Sequence, residues 1–340
     1  MIEDQIPQNV YLELLQPNKA RPIERVLGGL SSSPIYRCII ETGENSNVHV
    51  CLKGTPASPQ NFERLQLAEK AISSANKHEP RVLPSTLPPS THPFAIRADE
   101  LYWQLSQWMP GRADYLEQPS DKKLRNAVST LAQLHVVWAK SPNAGHLGPI
   151  DYTSPAMDDR FRMLEALTQQ SLLDFGRPEN LREKDLARRT SLQLVRLGKE
   201  WLEQLLFHRK QPIKLHTVLR DIWSDHVLFV DEAVSGIIDL GAIRIDEPAT
   251  DVARLIGSLE PNSPARWRVA LETYRHINPS VSFERVALLD KVSCLLSAVQ
   301  WYRWLIAERR QFHRPATVLL NRWELFLSRL ESDFWSEVEE

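Results

Sequence analysis

Apolar and polar positions change their rhythm near residue 105 of the chain. Before that point the pattern is strand-like. Ile35–Ile40 is β-branched and aromatic, Val48–Lys53 alternates, and Gly43-Glu44-Asn45 lies between them. That pattern predicts a β-hairpin. An earlier strand-like segment, Glu24–Leu27, runs into Gly28-Gly29. Pro59–Ser74 places Phe62, Leu65, Ala68 or Glu69, and Ile72 three or four residues apart, the spacing of a helix face. Pro80, Pro84, Pro88, Pro89 and Pro93 mark a loop with extended pieces between them. Leu101–Trp108 reads as a further strand, closed by Met109-Pro110-Gly111.

After residue 115 the helical period dominates. Lys122–Ala139 lines Leu124, Val128, Leu131, Leu134 and Trp138 along one face, with His135 beside them. Pro155–Leu173 and Leu181–Phe207 continue the pattern, and Arg182, Glu183, Lys184, Arg188 and Arg189 read as a solvated helix face. Residues 214–243 interrupt it: Leu228–Val230 and Gly236–Leu240 bracket Asp231-Glu232, a second hairpin. Asp251–Trp335 is helical again, and Trp301, Trp304, Trp323 and Trp335 fall among its core positions. A strand-rich first part and a helical second part predict two lobes with a ligand cleft between them.

Composition narrows the class. With 41 basic and 43 acidic side chains the formal net charge is -2, which argues against a dedicated partner for nucleic acid or anionic membrane. Cys38, Cys51 and Cys294 are too few and too scattered for a disulfide framework or a zinc site, and each reads as a buried small hydrophobe. The N-terminus carries early acid and no apolar stretch, so it does not read as a signal peptide. No run approaches the roughly 18 apolar residues of a membrane span. The expectation is a soluble, cytoplasmic protein.

The densest polar cluster in an apolar setting is Leu219–Phe229, containing Asp221, Asp225 and His226; Asp239 follows in Gly236-Ile237-Ile238-Asp239-Leu240-Gly241. A carboxylate at a strand end, followed by glycine, is a place for a metal ligand: the strand fixes the carboxylate and the glycine turns the backbone away. Taken singly, Asp221 as a turn cap and Asp239 as a hairpin closure are ordinary readings. Taken together with the order of the chain, they point to chemistry.

That order resembles the aminoglycoside phosphotransferase/choline kinase-like family, which shares the protein-kinase fold. The resemblance rests on LGGLSSSPIYRC (27–38), VCLKG (50–54), WQLSQWMPG (103–111), LAQLH (131–135), LRDIWSDHVLF (219–229) and GIIDLGAIRIDEPATDVARL (236–255), the last two being the specific ones. It implies an α+β, protein-kinase-like bilobal fold. Residues 1–105 would form a small antiparallel-sheet N-lobe with one helix, which binds nucleotide. Residues 106–340 would form a larger, mainly helical catalytic and substrate lobe. The implied activity moves the γ-phosphate of ATP (or GTP) to a hydroxyl of a small molecule, with Mg²⁺ or Mn²⁺.

Site residues follow from the same resemblance. Gly28, Gly29 and Ser32 would approach the phosphates, Lys53 would hold the α- and β-phosphates, and Trp108 lies near the expected hinge. Glu69, or else Glu63, would pair with Lys53; six residues apart, the two point to different helix faces. Asp221 would be the catalytic base, and Asp239 with His226 would bind metal. The family's loop commonly reads His-Gly-Asp with Asn five residues after the Asp. Here it reads Leu219-Arg220-Asp221 with His226 at the Asn position. Imidazole suits softer metals than Mg²⁺, so a non-catalytic, pseudokinase-like nucleotide binder stands as the alternative. Asp251, at a helix start, is placed to lock the loop through Arg220, and His135 reads as a buried, satisfied histidine.

Overall fold

A short amphipathic stretch opens the described chain: α1 (Gln8–Val10) runs into a π-helical turn at Tyr11–Leu15 and buries Val10, Leu14 and Leu15. Next come β1 (Ala20–Arg25), β2 (Ile35–Thr42), β3 (Ser46–Pro56), α2 (Pro59–Ala75), β4 (Thr86–Leu87), β5 (Ile96–Ala98) and β6 (Leu101–Gln107). The strands form one antiparallel sheet of order β1-β2-β3-β6-β4, with β5 paired to β6. Successive side chains face opposite sides of a sheet. Tyr36, Cys38, Val50, Leu52, Trp103 and Leu105 therefore share one core with Val10, Leu14 and Leu15. Lys53 has the other parity, and the register sets it beside Ile35 of β2 and Gln104 of β6. The expected helix over 59–74 is α2, begun by Pro59 and capped by Ser58, whose Oγ accepts from the Asn61 N–H at 3.1 Å.

The computed structural model describes residues 6–26, 33–42, 46–78, 81–88, 94–140, 153–169, 177–312 and 314–339. Gly28, Gly29, Ser31 and Ser32, the turn at 43–45, Pro80, Pro89, Pro93 and the end of the helix expected to reach Leu173 lie outside the described residues. Two compact units emerge: residues 1–114 with 225–244, and residues 115–224 with 245–340. The expected division at 105 in simple chain order thus differs in two respects: the first boundary falls after residue 114, and residues 225–244 group with the N-terminal strands.

That returning segment is the expected hairpin, β8 (Val227–Val230) and β9 (Ala233–Ile237). Arg112 and Phe229 exchange backbone hydrogen bonds of 3.0 and 2.9 Å, and the Ile237 N–H donates to the Val82 carbonyl at 2.7 Å. Gly111 makes this packing possible. Its φ is +97°, and a Cβ there would stand 2.3 Å from Ser235 Oγ and 2.5 Å from the Phe229 carbonyl oxygen.

The second unit contains α3 (Asp121–Lys140), α4 (Pro155–Thr168), α5 (Leu181–Arg209) and β7 (His216–Val218). After β10 (Arg244–Asp246), which pairs with β7, it continues through α6 (Ala249–Leu259), α7 (Pro264–Ile277), α8 (Phe283–Tyr302), α9 (Ala316–Glu331) and α10 (Phe334–Glu339). α3 buries the predicted face, Leu124, Val128, Leu131, Leu134 and Trp138. α8 buries residues on every side, as a central helix must. Trp301, Trp323 and Trp335 are buried, whereas Trp304 is only half-buried, with the Arg310 guanidinium 5.1 Å from its ring centre. The charged run of α5 is mostly solvated, although Arg182 and Arg189 reach Glu324 and Glu331 of α9. Cys38 and Cys294 are buried, and burial pushes both thiols up to about 12. No helix among the described residues is long and apolar enough to cross a membrane.

Candidate active site

Lys53 and Asp239 are 186 positions apart in sequence and meet within the first unit: Lys53 Nζ donates to Asp239 Oδ1 at 2.8 Å. The strand parity that buries Leu52 sets Lys53 on the opposite face of the sheet. Asp239 is placed by a backbone device. After β9 it takes φ 62°, ψ 63°, the left-handed conformation, just ahead of a 3-10 turn at Leu240–Ala242. For a residue with a Cβ this costs roughly 1–2 kcal/mol, and such strain concentrates at functional sites. The Ile238 N–H donates to the His226 carbonyl at 2.9 Å, which brings the His226 Nε2 to 3.9 Å from Asp239 Oδ2. Burial works to raise the Asp239 carboxyl. The Lys53 charge and hydrogen bond, helped by His226 and the Gly241 N–H, outweigh it and hold the carboxyl below its ordinary range.

Asp221 belongs to the second unit, in the loop after β7. The residue before it, Arg220, also has a left-handed backbone, φ 67°. The loop is held by Asp251, fully buried in the first turn of α6. Asp251 Oδ2 accepts from the Leu219 N–H at 2.6 Å and Oδ1 accepts from the Arg220 N–H at 2.7 Å. The expected lock through Arg220 therefore acts on main-chain N–H groups, those of Leu219 and Arg220. The Arg220 guanidinium goes elsewhere, to Asp246 Oδ2 at 2.6 Å and Asp159 Oδ2 at 2.9 Å. His135 is the satisfied histidine expected: its Nε2 lies 3.1 Å from Asp251 Oδ2 and its Nδ1 2.7 Å from the Tyr274 hydroxyl. The carboxylate requires a donor, so Nε2 carries the proton there and Nδ1 accepts.

The Asp221 carboxylate is gripped by two residues that no motif singled out. Arg254 Nε and Nη2 donate to its Oδ1 at 2.9 and 2.5 Å, and Trp223 Nε1 donates to the same oxygen at 2.7 Å. The sequence signal for Arg254 is its position one helical turn after Asp251. Asp221, Trp223, Arg254 and Asp251 form one cluster in the second unit; Lys53, His226 and Asp239 form another in the first.

Glu69 is a correction. Its carboxylate accepts a short hydrogen bond from the Thr86 hydroxyl, and burial raises its protonation range. Lys53 is taken by Asp239 instead, and neither Glu69 nor the exposed Glu63 forms an ion pair with it among the described residues. Trp108 is half-buried, its main-chain N–H donating to the His49 carbonyl at 3.2 Å and its ring 5.1 Å from the Arg37 guanidinium. No group of three or more His, Cys, Asp or Glu gathers as a metal cage among the described residues.

A phosphotransferase enzyme family model matches residues 28–289, and the chain belongs to that family. No curated protein matches it in sequence. Solved structures agree in fold. An aminoglycoside phosphotransferase from Alicyclobacillus acidocaldarius is 14% identical, with a TM-score of 0.65 over 98% of this chain and 95% of its own. A spectinomycin phosphotransferase in complex with ADP and spectinomycin is 10% identical, with a TM-score of 0.66 over 98% of both chains. A choline/ethanolamine kinase family protein from Mesorhizobium loti is 15% identical, with a TM-score of 0.59 over 99% of this chain and 98% of its own. The fold is α+β and protein-kinase-like.

Proposed function

We propose that this phosphotransferase moves the γ-phosphoryl group of ATP or GTP to a hydroxyl of a small molecule. The observation that carries the reading is the 2.8 Å pairing of Lys53 with Asp239, two motif residues joined across most of the chain. Structural neighbours include a spectinomycin phosphotransferase with ADP bound, in keeping with a nucleotide donor and a small acceptor. Phosphoryl transfer asks the protein mainly for positioning and charge neutralisation. In this reading Lys53 holds the donor phosphates. Asp221 takes the acceptor's hydroxyl proton as the new O–P bond forms and the bridging P–O bond to the diphosphate breaks.

A divalent ion fits Asp239, whose hard carboxylate oxygens suit Mg²⁺. His226 offers only a softer imidazole nitrogen. One ion held by Asp239, completed by phosphate oxygens and water, therefore agrees with the donors present better than a second ion at His226. When bound, such an ion neutralises phosphate charge. A non-catalytic nucleotide binder is the second reading, favoured by His226 at the position where the family commonly has Asn.

Thermal denaturation with ATP, with and without Mg²⁺ or Mn²⁺, is followed by ADP release with a panel of small alcohols. The enzyme reading expects metal-dependent stabilisation and ADP release that disappears in Asp221→Asn. Stabilisation by ATP alone with no ADP release supports the second reading. No response to any nucleotide overturns both.

A further inference from the structure

One face of α6 reads the loop that carries Asp221 in register. Asp251, Arg254 and Ser258 lie three and four residues apart and so share a helix face. Asp251 takes the N–H groups of Leu219 and Arg220, at 2.6 and 2.7 Å. Arg254 takes the carboxylate of Asp221, at 2.9 and 2.5 Å. Ser258 Oγ accepts from the Ser224 N–H at 2.9 Å. The helix itself is immobilised by burial of Ala249, Thr250, Val252, Ala253, Leu255, Ile256 and Leu259. Of these three contacts only the middle one ends on a side chain, and that side chain is the proposed base.

We infer that Arg254, with Trp223, is a positioning residue that fixes the orientation of the Asp221 carboxylate for the acceptor's hydroxyl. This rests on the reading of Asp221 as the base. Three donors meet at Oδ1: two from the Arg254 guanidinium and the Trp223 Nε1 at 2.7 Å. The Arg254 guanidinium carbon also lies 4.1 Å from the centre of the Trp223 ring. The cation–π contact holds the two donors to each other while both hold the same oxygen. Rotation of the carboxylate about its Cβ–Cγ bond would break all three hydrogen bonds at once. Fold maintenance alone does not call for this arrangement. The Asp221 side chain is 41% exposed, so water could satisfy its carboxylate without these donors; Arg254 is the more buried partner, at 24%, and burial lowers its protonation range against the opposing pull of Asp221. Misplacing a reacting group by a fraction of an ångström, by contrast, is costly in rate.

The test measures ADP release from Mg²⁺-ATP, with water or an identified alcohol as acceptor, for the whole chain and its Arg254→Met, Arg254→Lys, Trp223→Phe and Asp221→Asn variants. Arg254→Met keeps the stem and removes the donors. It is expected to lower kcat by about 10- to 100-fold, with the KM for ATP and the stabilisation by nucleotide unchanged. Added methylguanidine restores part of that kcat, Arg254→Lys retains more of it than Arg254→Met, and Trp223→Phe shows a smaller loss. Wild-type kcat in Arg254→Met, with Asp221→Asn inactive, overturns the role of Arg254 while leaving the base reading intact. Loss of nucleotide stabilisation together with kcat, without rescue by methylguanidine, also overturns it, because the role is then merely structural. Full turnover in Asp221→Asn, or none in the wild type, overturns the functional reading and this inference with it.

Discussion

Replacing Asp251 by Asn tests the support of the loop more sharply than any change at its tip. The carboxylate is fully buried and accepts three hydrogen bonds: from the Leu219 and Arg220 N–H groups and from His135 Nε2. An amide of the same shape has one oxygen, so its NH₂ must face at least one of these donors. Leu219 is itself buried, so water cannot replace the missing acceptor. Each buried donor left unsatisfied costs about 1–3 kcal/mol. One or two such losses give about 2–5 kcal/mol for Asp251→Asn. In a unit of this size that lowers Tm by about 10 °C. Circular dichroism and tryptophan fluorescence against temperature measure it, with each transition fitted separately because the chain has two units. A Tm within about 2 °C of wild type would falsify the claim that this carboxylate is the buried anchor of the loop.

Three further outcomes are expected. Lys53→Met lowers ADP release by at least about 100-fold and frees the Asp239 carboxyl from the partner that depresses it. That depression contributes stability above the ordinary value of 3.8, lost as pH falls through the lower native value; thermal melts between neutral and strongly acidic pH should show a shallower acid loss in Lys53→Met. His216 is pushed down to about 4 from 6.5, chiefly by burial and then by the neighbouring His135. The unfolded chain binds the proton first, so stability falls from pH 6.5 to about 4, and His216→Asn should flatten that limb in urea titrations. Arg220→Gly is net destabilising by about 1–4 kcal/mol, read from the urea midpoint.

Long periodic segments were legible in the sequence because burial on one face leaves a record in residue type. α2, α3 and the β2–β3 and β8–β9 hairpins stand close to where hydrophobic spacing put them. β4 falls among the extended pieces expected between the loop prolines, whereas the N-terminal helical segment, β5, β7 and β10 leave no legible pattern, since three-residue strands carry too few positions to show alternation. At the site, Lys53 and Asp239 were legible through motif order, but their direct pairing was not. Nothing in the chain says that Glu69 will satisfy Thr86 rather than reach Lys53. The role of Arg254 is hidden in the sequence for a similar reason. An arginine on a helix looks like a solvated one until the loop it holds is in place.

Arg220 joins a strained backbone to a buried ion pair. Its φ of 67° is one that glycine enters without a Cβ clash. Arginine pays roughly 1–2 kcal/mol for the same backbone. Its guanidinium, however, meets Asp246 at 2.6 Å and Asp159 at 2.9 Å, and Asp246 has no exposure to water. Burial raises the Asp246 carboxyl, and the Arg220 charge is the foremost influence opposing that. Removing the guanidinium would leave the buried acid with only its hydrogen bonds from the Ala156 and Glu247 N–H groups and the Ser154 hydroxyl, at a cost of up to about 3–5 kcal/mol, more than the backbone relief returns. A strained residue is thus favoured here because the same side chain neutralises an acid on β10, the strand that leads into α6. The main-chain N–H of Arg220 is meanwhile held by Asp251 on that helix. Backbone strain at Arg220, the β10 acid and the α6 anchor therefore stand or fall together.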